Sequence, residues 1–372
     1  MGDARVEKFV SQSDEFIERA LGEIGVATLS DLPPVSTRLA IALSPVLVQD
    51  YRNVTADARQ AMANAYHGEF GVAYCIVLNP HDPPSTTHPL LDLSAALAAD
   101  LGLQYPLTHP MEGHAEAVSR FGAPDGTLKI YDLDTKDGRT GYREQAETSE
   151  MFSAHNDGLG YGGAVQTVAF HMDSAPLWGG FTYFQNIVRL SLDLARDDTD
   201  AFRALFLPDA IQAIRPRGKG AIKVKSPVLY LNVARRPQCF YRVTTGEYQI
   251  GWRSGVDALD RASQFIDSHT HPFSGGSTFV HLTSKGQCCF VRNEAVVHGR
   301  TPFRDDSPTG QQRVLARKWF MRDGKDTIYK HVPGIEIASD YAGLYPEQFG
   351  EDVLTGEWNY NKDQDLNIRI RQ

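Results

Sequence analysis

The sequence predicts a mainly β fold, a sandwich or barrel with flanking helices. Three observations predict it. From Thr127 onward the chain breaks into short strand-like runs separated by Gly, Pro and Asp. Helical spacing is concentrated earlier, which makes residues 1–125 an α/β shoulder to a β core at 126–322. Inside the core, residues from about 190 to 276 have a different texture and read as an insertion, and 323–372 reads as a coil-rich tail. No repeat and no Pro-, Ser- or Gly-rich linker divides the chain, so 1–372 is expected to form a single domain.

In chain order, Phe9, Val10, Phe16, Ile17, Ala20, Leu21 and Ile24 recur at the spacing of one helix face. Thr55 is a candidate cap for a second helix that runs to about Tyr66. Residues 71–78 form a strand that Asn79-Pro80 closes, and 90–101 form a third helix. Core strands are expected at 128–131, 166–172, 228–233, 287–291 and 313–321. A helix over 190–207 opens the insertion.

Apolar residues make up 42% of the chain, enough for a sizeable core, and the 22% of charged residues include no long polar tract. The net charge of −9 argues against a general nucleic-acid binder. No apolar run approaches the roughly 18 residues of a membrane span, and the first residues lack a signal core. Cys75, Cys239, Cys288 and Cys289 have no CxxC spacing, and the adjacent pair would point to opposite faces of a strand. A reduced, cytoplasmic protein is the expectation.

His155-Asn156-Asp157 and the distal His298 carry the chemistry. On an extended segment His155 and Asp157 share a face and reach one ion together. His298 follows the apolar run Ala295-Val296-Val297, at the end of a strand. Two imidazoles and one carboxylate bind one face of Fe(II) and leave three positions open for cosubstrate and dioxygen. A second HxD, His171-Met172-Asp173, sits in an apolar run and reads as a packed or pocket-lining histidine. The pair His269 and His271 reads as part of a loop.

Arg313 follows His298 by fifteen residues and Arg317 follows Arg313 by four. On a strand, 313, 315, 317 and 319 face the same side. Arginines pointing into a barrel need anionic partners, and a guanidinium grips a carboxylate through two parallel hydrogen bonds. The competing reading is a basic edge strand paired with surface acids. Thr182, in Trp178-Gly179-Gly180-Phe181-Thr182, offers a hydroxyl to the same carboxylate as Arg313.

The order HxD, GGxT, distal His-Gly-Arg and Arg-x-x-x-Arg resembles the taurine dioxygenase-like Fe(II)/2-oxoglutarate oxygenases. Glu147-Thr148-Ser149-Glu150 and Val297 to Phe303 look closer to the clavaminate synthase-like branch, which includes amino-acid hydroxylases. The match spans roughly Glu147 to Phe320, about half the chain. It implies a double-stranded β-helix (jelly-roll) core and a single catalytic domain. It implies His155, Asp157 and His298 as iron ligands and Thr182 and Arg313 as binders of the distal carboxylate of 2-oxoglutarate. O2 is the other cosubstrate, and succinate and CO2 are products. Arg317 matches the position at which relatives hold an acidic group of the primary substrate. Branch members often carry glutamate where this chain has Asp157, and related halogenases lack that carboxylate altogether, which disfavours halogenation.

The expectation is a small-molecule substrate, an amino acid or related carboxylate, hydroxylated at an unactivated C–H. Glu147, Ser149 and Asn156 are expected to meet its amine or hydroxyl. No nucleic acid or membrane partner is expected. Desaturation, cyclisation or epoxidation by the same oxidant stays open, as do a non-catalytic metabolite binder and a zinc hydrolase on the same three residues. The insertion, with Arg215, Arg217, Lys219, Lys223, Lys225, Arg235 and Arg236, is either a lid over an anionic substrate or a solvated basic loop.

Overall fold

The computed structural model describes residues 7, 9–80, 88–107, 127–132, 146, 148–157, 165–217, 220–232, 234–243, 249–306 and 310–321. The expected tail at 323–372 and Glu147 lie outside them. The shoulder runs α1 (Val10–Glu23), β1 (Ile41–Ala42), β2 (Val46–Val48), α2 (Ala56–His67), β3 (Val72–Val77), α3 (Pro89–Leu101) and β4 (Tyr105–Leu107). Thr55 caps α2 by accepting from the Ala58 amide at 3.2 Å. Pro89 opens α3, and Gly102, in the left-handed region at φ 67°, closes it.

The core strands are β5 (Leu128–Ile130), β6 (Phe152–His155), β7 (Val165–Ser174), β8 (Trp178–Gly179) and β9 (Thr182–Asn186). The insertion follows: α4 (Ile187–Asp197), α5 (Thr199–Ala204), β10 (Ile211–Arg217), β11 (Gly220–Ser226), β12 (Leu229–Leu231), β13 (Pro237–Cys239), β14 (Gln249–Trp252) and α6 (Asp257–His269). The core resumes with β15 (Thr278–Val280), β16 (Gln287–Arg292), β17 (Val296–Arg300), β18 (Phe303–Arg304) and β19 (Val314–Met321).

Two sheets form the core. One has the order β1-β15-β9-β17-β6 and the other β2-β3-β16-β7-β19-β4, with β5 also paired to β19. Apolar side chains of both meet in one cluster, including Phe170, Met172, Tyr183, Phe184 and Val297. This is the double-stranded β-helix that the resemblance implied. The larger sheet is buried on its outer face too, where Ala169, Cys288 and Phe290 pack under Met62, Tyr66, Leu93 and Leu97 of α2 and α3. Cys288 and Cys289 therefore do face opposite ways, one into each cluster.

The single helix expected over 190–207 is two. Asp198 ends α4 and caps α5, accepting from the Ala201 amide at 3.0 Å. A short aspartate side chain competes for backbone donors, so a polar pair such as Asp198-Thr199 starts a helix more readily than it continues one. His269 is the last residue of α6 rather than part of a loop, with Nδ1 2.7 Å from the Phe265 carbonyl. His298 lies in the middle of β17, not at its end.

Candidate active site

His155, Asp157 and His298 converge. One ligand atom from each lies within 4.8 Å of the others, and all three residues are buried. β6 and β17 are antiparallel with His155 opposite His298, which puts both rings on one face. Phe152 lies against His155 at 4.1 Å between ring centroids, and Phe170 meets His298 edge-on at 5.2 Å.

The proton positions prepare the site for a cation. His155 Nδ1 is 2.8 Å from the Ser153 carbonyl, an acceptor only, so the proton belongs on Nδ1. That leaves His155 Nε2 bare at 3.2 Å from Asp157 Oδ1. Two acceptors at that distance repel unless a cation stands between them. Burial lowers His155 from its ordinary value and takes His298 down to about 3, so both rings are neutral at pH 7. Burial alone would raise the Asp157 carboxyl, but the Arg317 guanidinium and the two histidines reverse this and hold it well below the usual carboxylate range.

Asp157 is held by residues of the opposite sheet. Its Oδ2 accepts from Arg317 Nη1 at 2.9 Å and from Trp319 Nε1 at 2.7 Å. Its amide donates to Asn293 Oδ1 at 2.8 Å, and Asn293 Nδ2 donates back to the Asp157 carbonyl at 3.1 Å. Oδ2 is thus taken by donors and also lies 3.9 Å from His298 Nε2, while Oδ1 faces His155.

Beside the three residues is a cavity of about 30 Å³ lined by Thr182, Gly299, Arg300, Arg313 and Arg317 among others. Arg313 is 1% exposed, yet its Nε and Nη1 have no hydrogen-bond partner among the described residues, and neither has Thr182 Oγ1. Burial and the nearby Arg300 bring the Arg313 guanidinium down to about 9. Buried unanswered donors of this kind call for an anion. Gly180 makes the approach possible. It sits at φ 76°, and a Cβ there would stand 3.3 Å from Arg313 Nε.

The family described as "Taurine catabolism dioxygenase TauD, TfdA family" matches residues 102–319. The chain belongs to this family. It is a TauD/TfdA dioxygenase, dependent on iron(II), 2-oxoglutarate and O2. A Streptomyces sp. protein named uridine-5'-phosphate dioxygenase is 26% identical over 255 residues, 66% of this chain and 84% of that one. A solved structure of a variant of the non-heme iron oxygenase OrfP with (3S)-hydroxy-L-Arg has a TM-score of 0.50 at 14% identity, covering 84% of this chain and 92% of that one. That likeness speaks to the fold alone. Asparagine oxygenase with Fe(II), 2S,3S-3-hydroxyasparagine and succinate has a TM-score of 0.49 at 16% identity, covering 85% and 93%.

Other expected site residues of this TauD/TfdA chain fall elsewhere. Asn156 points away from the metal face. Its Oδ1 accepts from the Tyr241 amide at 2.6 Å and its Nδ2 donates to the Val296 carbonyl at 3.2 Å. The alternation that puts 155 and 157 together sends 156 to the other side. Ser149 is half-buried and outside the cavity lining. Its carbonyl accepts from the Phe303 amide at 3.0 Å, in a segment strapped by Arg300 through the carbonyls of Ala146, Thr148 and Glu150. Arg317, expected on a substrate acid, is on Asp157. Trp319 and Asn293 were missed. The alternation 313, 315, 317, 319 already placed Trp319 on the site's face, whereas Asn293 gave no signal in the sequence.

The second HxD is a closed network. His171 Nδ1 is 2.6 Å from Asp173 Oδ1, His171 Nε2 is 2.8 Å from the Tyr51 hydroxyl, and His88 Nε2 is 2.9 Å from Asp173 Oδ1. The Leu90 amide donates to His88 Nδ1 at 3.1 Å. Each ring nitrogen has a partner, and the chain of bonds ties α3 to β7. No helix among the described residues is long and apolar enough to cross a membrane.

Proposed function

We propose that His155, Asp157 and His298 hold iron(II), and that Arg313 and Thr182 hold the distal carboxylate of 2-oxoglutarate, in one catalytic unit spanning the chain. The carrying observation is the bare His155 Nε2 facing Asp157 Oδ1 at 3.2 Å, beside a buried arginine with unanswered donors. When bound, the metal and its two cosubstrates supply the oxidant, with release of succinate and CO2. Arg317 and Trp319 fix Asp157 by its outer oxygen, so that the carboxylate offers Oδ1 alone. A clamp for a second carboxylate has no use in a zinc hydrolase. The cavity, about 30 Å³, has room for roughly one water, so cosubstrate entry requires its lining side chains to move.

The reaction proposed is hydroxylation of an unactivated C–H in an amino acid or related small carboxylate, in the cytoplasm. The four cysteines, all free and buried, support a reducing setting. A second reading, a nucleoside 5'-phosphate substrate, is favoured by the 26% identity to uridine-5'-phosphate dioxygenase. Oxygen uptake and succinate release, followed with ferrous iron and panels of both substrate classes, separate the two. The stimulating compound should gain one oxygen. A loss of two hydrogens would make the enzyme a desaturase, and no stimulation by either panel would sink both readings.

A further inference from the structure

The insertion reaches the metal face at one point. Arg242 forms an antiparallel bridge with His155. Directly paired residues of antiparallel strands project their side chains from the same face. Asn156 locks the register, since its amide donates to the Tyr241 carbonyl at 2.9 Å and its Oδ1 accepts from the Tyr241 amide at 2.6 Å. Tyr241 itself turns the other way, its hydroxyl donating to Asp267 at 2.8 Å. With Tyr241 facing the insertion helix, Arg242 is left on the side of His155.

We infer that Arg242 is a substrate-binding residue supplied by the insertion, and that it receives an oxyanionic group, carboxylate or phosphate monoester, of the primary substrate. The bridge puts Arg242 on the His155 face of the paired segments, beside the residues proposed to hold the metal. A guanidinium suits either oxyanion, because both match its paired donors. This rests on the iron and 2-oxoglutarate reading above.

The test uses the protein loaded with Fe(II) and 2-oxoglutarate without oxygen. Loading is followed by the visible charge-transfer band of that complex. Uridine 5'-phosphate and L-aspartate are then titrated separately by calorimetry into wild type, Arg242→Met and Arg242→Lys. At least one anion is expected to bind wild type, to bind Arg242→Met roughly 10- to 100-fold more weakly, and to recover partly with Arg242→Lys. The band itself stays as in wild type. Binding of the phosphate identifies a phosphate monoester subsite, and binding of aspartate a carboxylate one. Equal binding to wild type and Arg242→Met, or no binding of either anion to wild type, overturns the inference. Loss of the band in Arg242→Met also overturns it, because Arg242 would then act by positioning His155. Failure of wild type to form the band would instead overturn the reading of the site beneath it.

Discussion

His298 stands directly opposite His155 in the β6–β17 ladder, their ring centroids 4.6 Å apart. The pairing lets two distant stretches of chain supply neutral nitrogens to one point without any loop between them. Replacing either histidine by Ala should leave the fold intact, since each lies in a ladder held by backbone bonds. Iron affinity, measured by anaerobic titration, should fall further than the roughly 10- to 100-fold typical of changes to a ligand's supporting residues.

Arg313→Ala should raise the 2-oxoglutarate requirement by about 2–4 kcal/mol, or roughly 30- to 1000-fold, and barely change iron affinity. Thr182→Val removes one neutral hydrogen bond and should cost about 0.5–1.5 kcal/mol on the same measurement. Separate titrations of iron and 2-oxoglutarate check both. Equal 2-oxoglutarate dependence in wild type and Arg313→Ala would refute the clamp.

Trp319→Phe keeps the ring under Arg317, which stacks over it at 4.6 Å, and deletes the N–H on Asp157 Oδ2. Iron should bind roughly 10- to 100-fold more weakly with the fold unchanged. An unaltered iron titration would reduce Trp319 to packing.

Much of this was legible in the sequence because strand alternation is a local rule. It placed His155 with Asp157, and Arg313 with Arg317 and Trp319, before any tertiary contact was known. The same rule, applied one residue over, excludes Asn156 from the metal face. What local rules do not convey is which segments meet. Asn293 supports Asp157 from the turn between β16 and β17, and Arg242 arrives on a strand-like segment of the insertion. Both depend on long-range pairing. Arg317 was assigned to a substrate because sequence shows that an arginine needs an anion, not which anion is nearest. The break at Asp198 was readable from its capping chemistry and was outweighed by apolar periodicity on both sides.

Asp173→Asn tests the closed network. Burial raises the Asp173 carboxyl, but hydrogen bonds from His171 and His88 outweigh it and hold it below its ordinary value. A depressed carboxyl stabilises the fold above its unfolded pKa of about 3.9, and that stabilisation is lost as pH falls toward the folded value. The substitution should cost about 1–3 kcal/mol at pH 7 in urea unfolding, and the gap to wild type should narrow below about pH 4. A gap that does not change with pH would mean that the charge of Asp173 is irrelevant there.

Iron-dependent succinate release by Asp157→Ala, with circular dichroism to confirm the fold, tests the central assignment most directly. The three-residue site predicts a folded protein that releases no succinate at iron and 2-oxoglutarate levels that saturate wild type. A folded variant releasing succinate at the wild-type rate would contradict it.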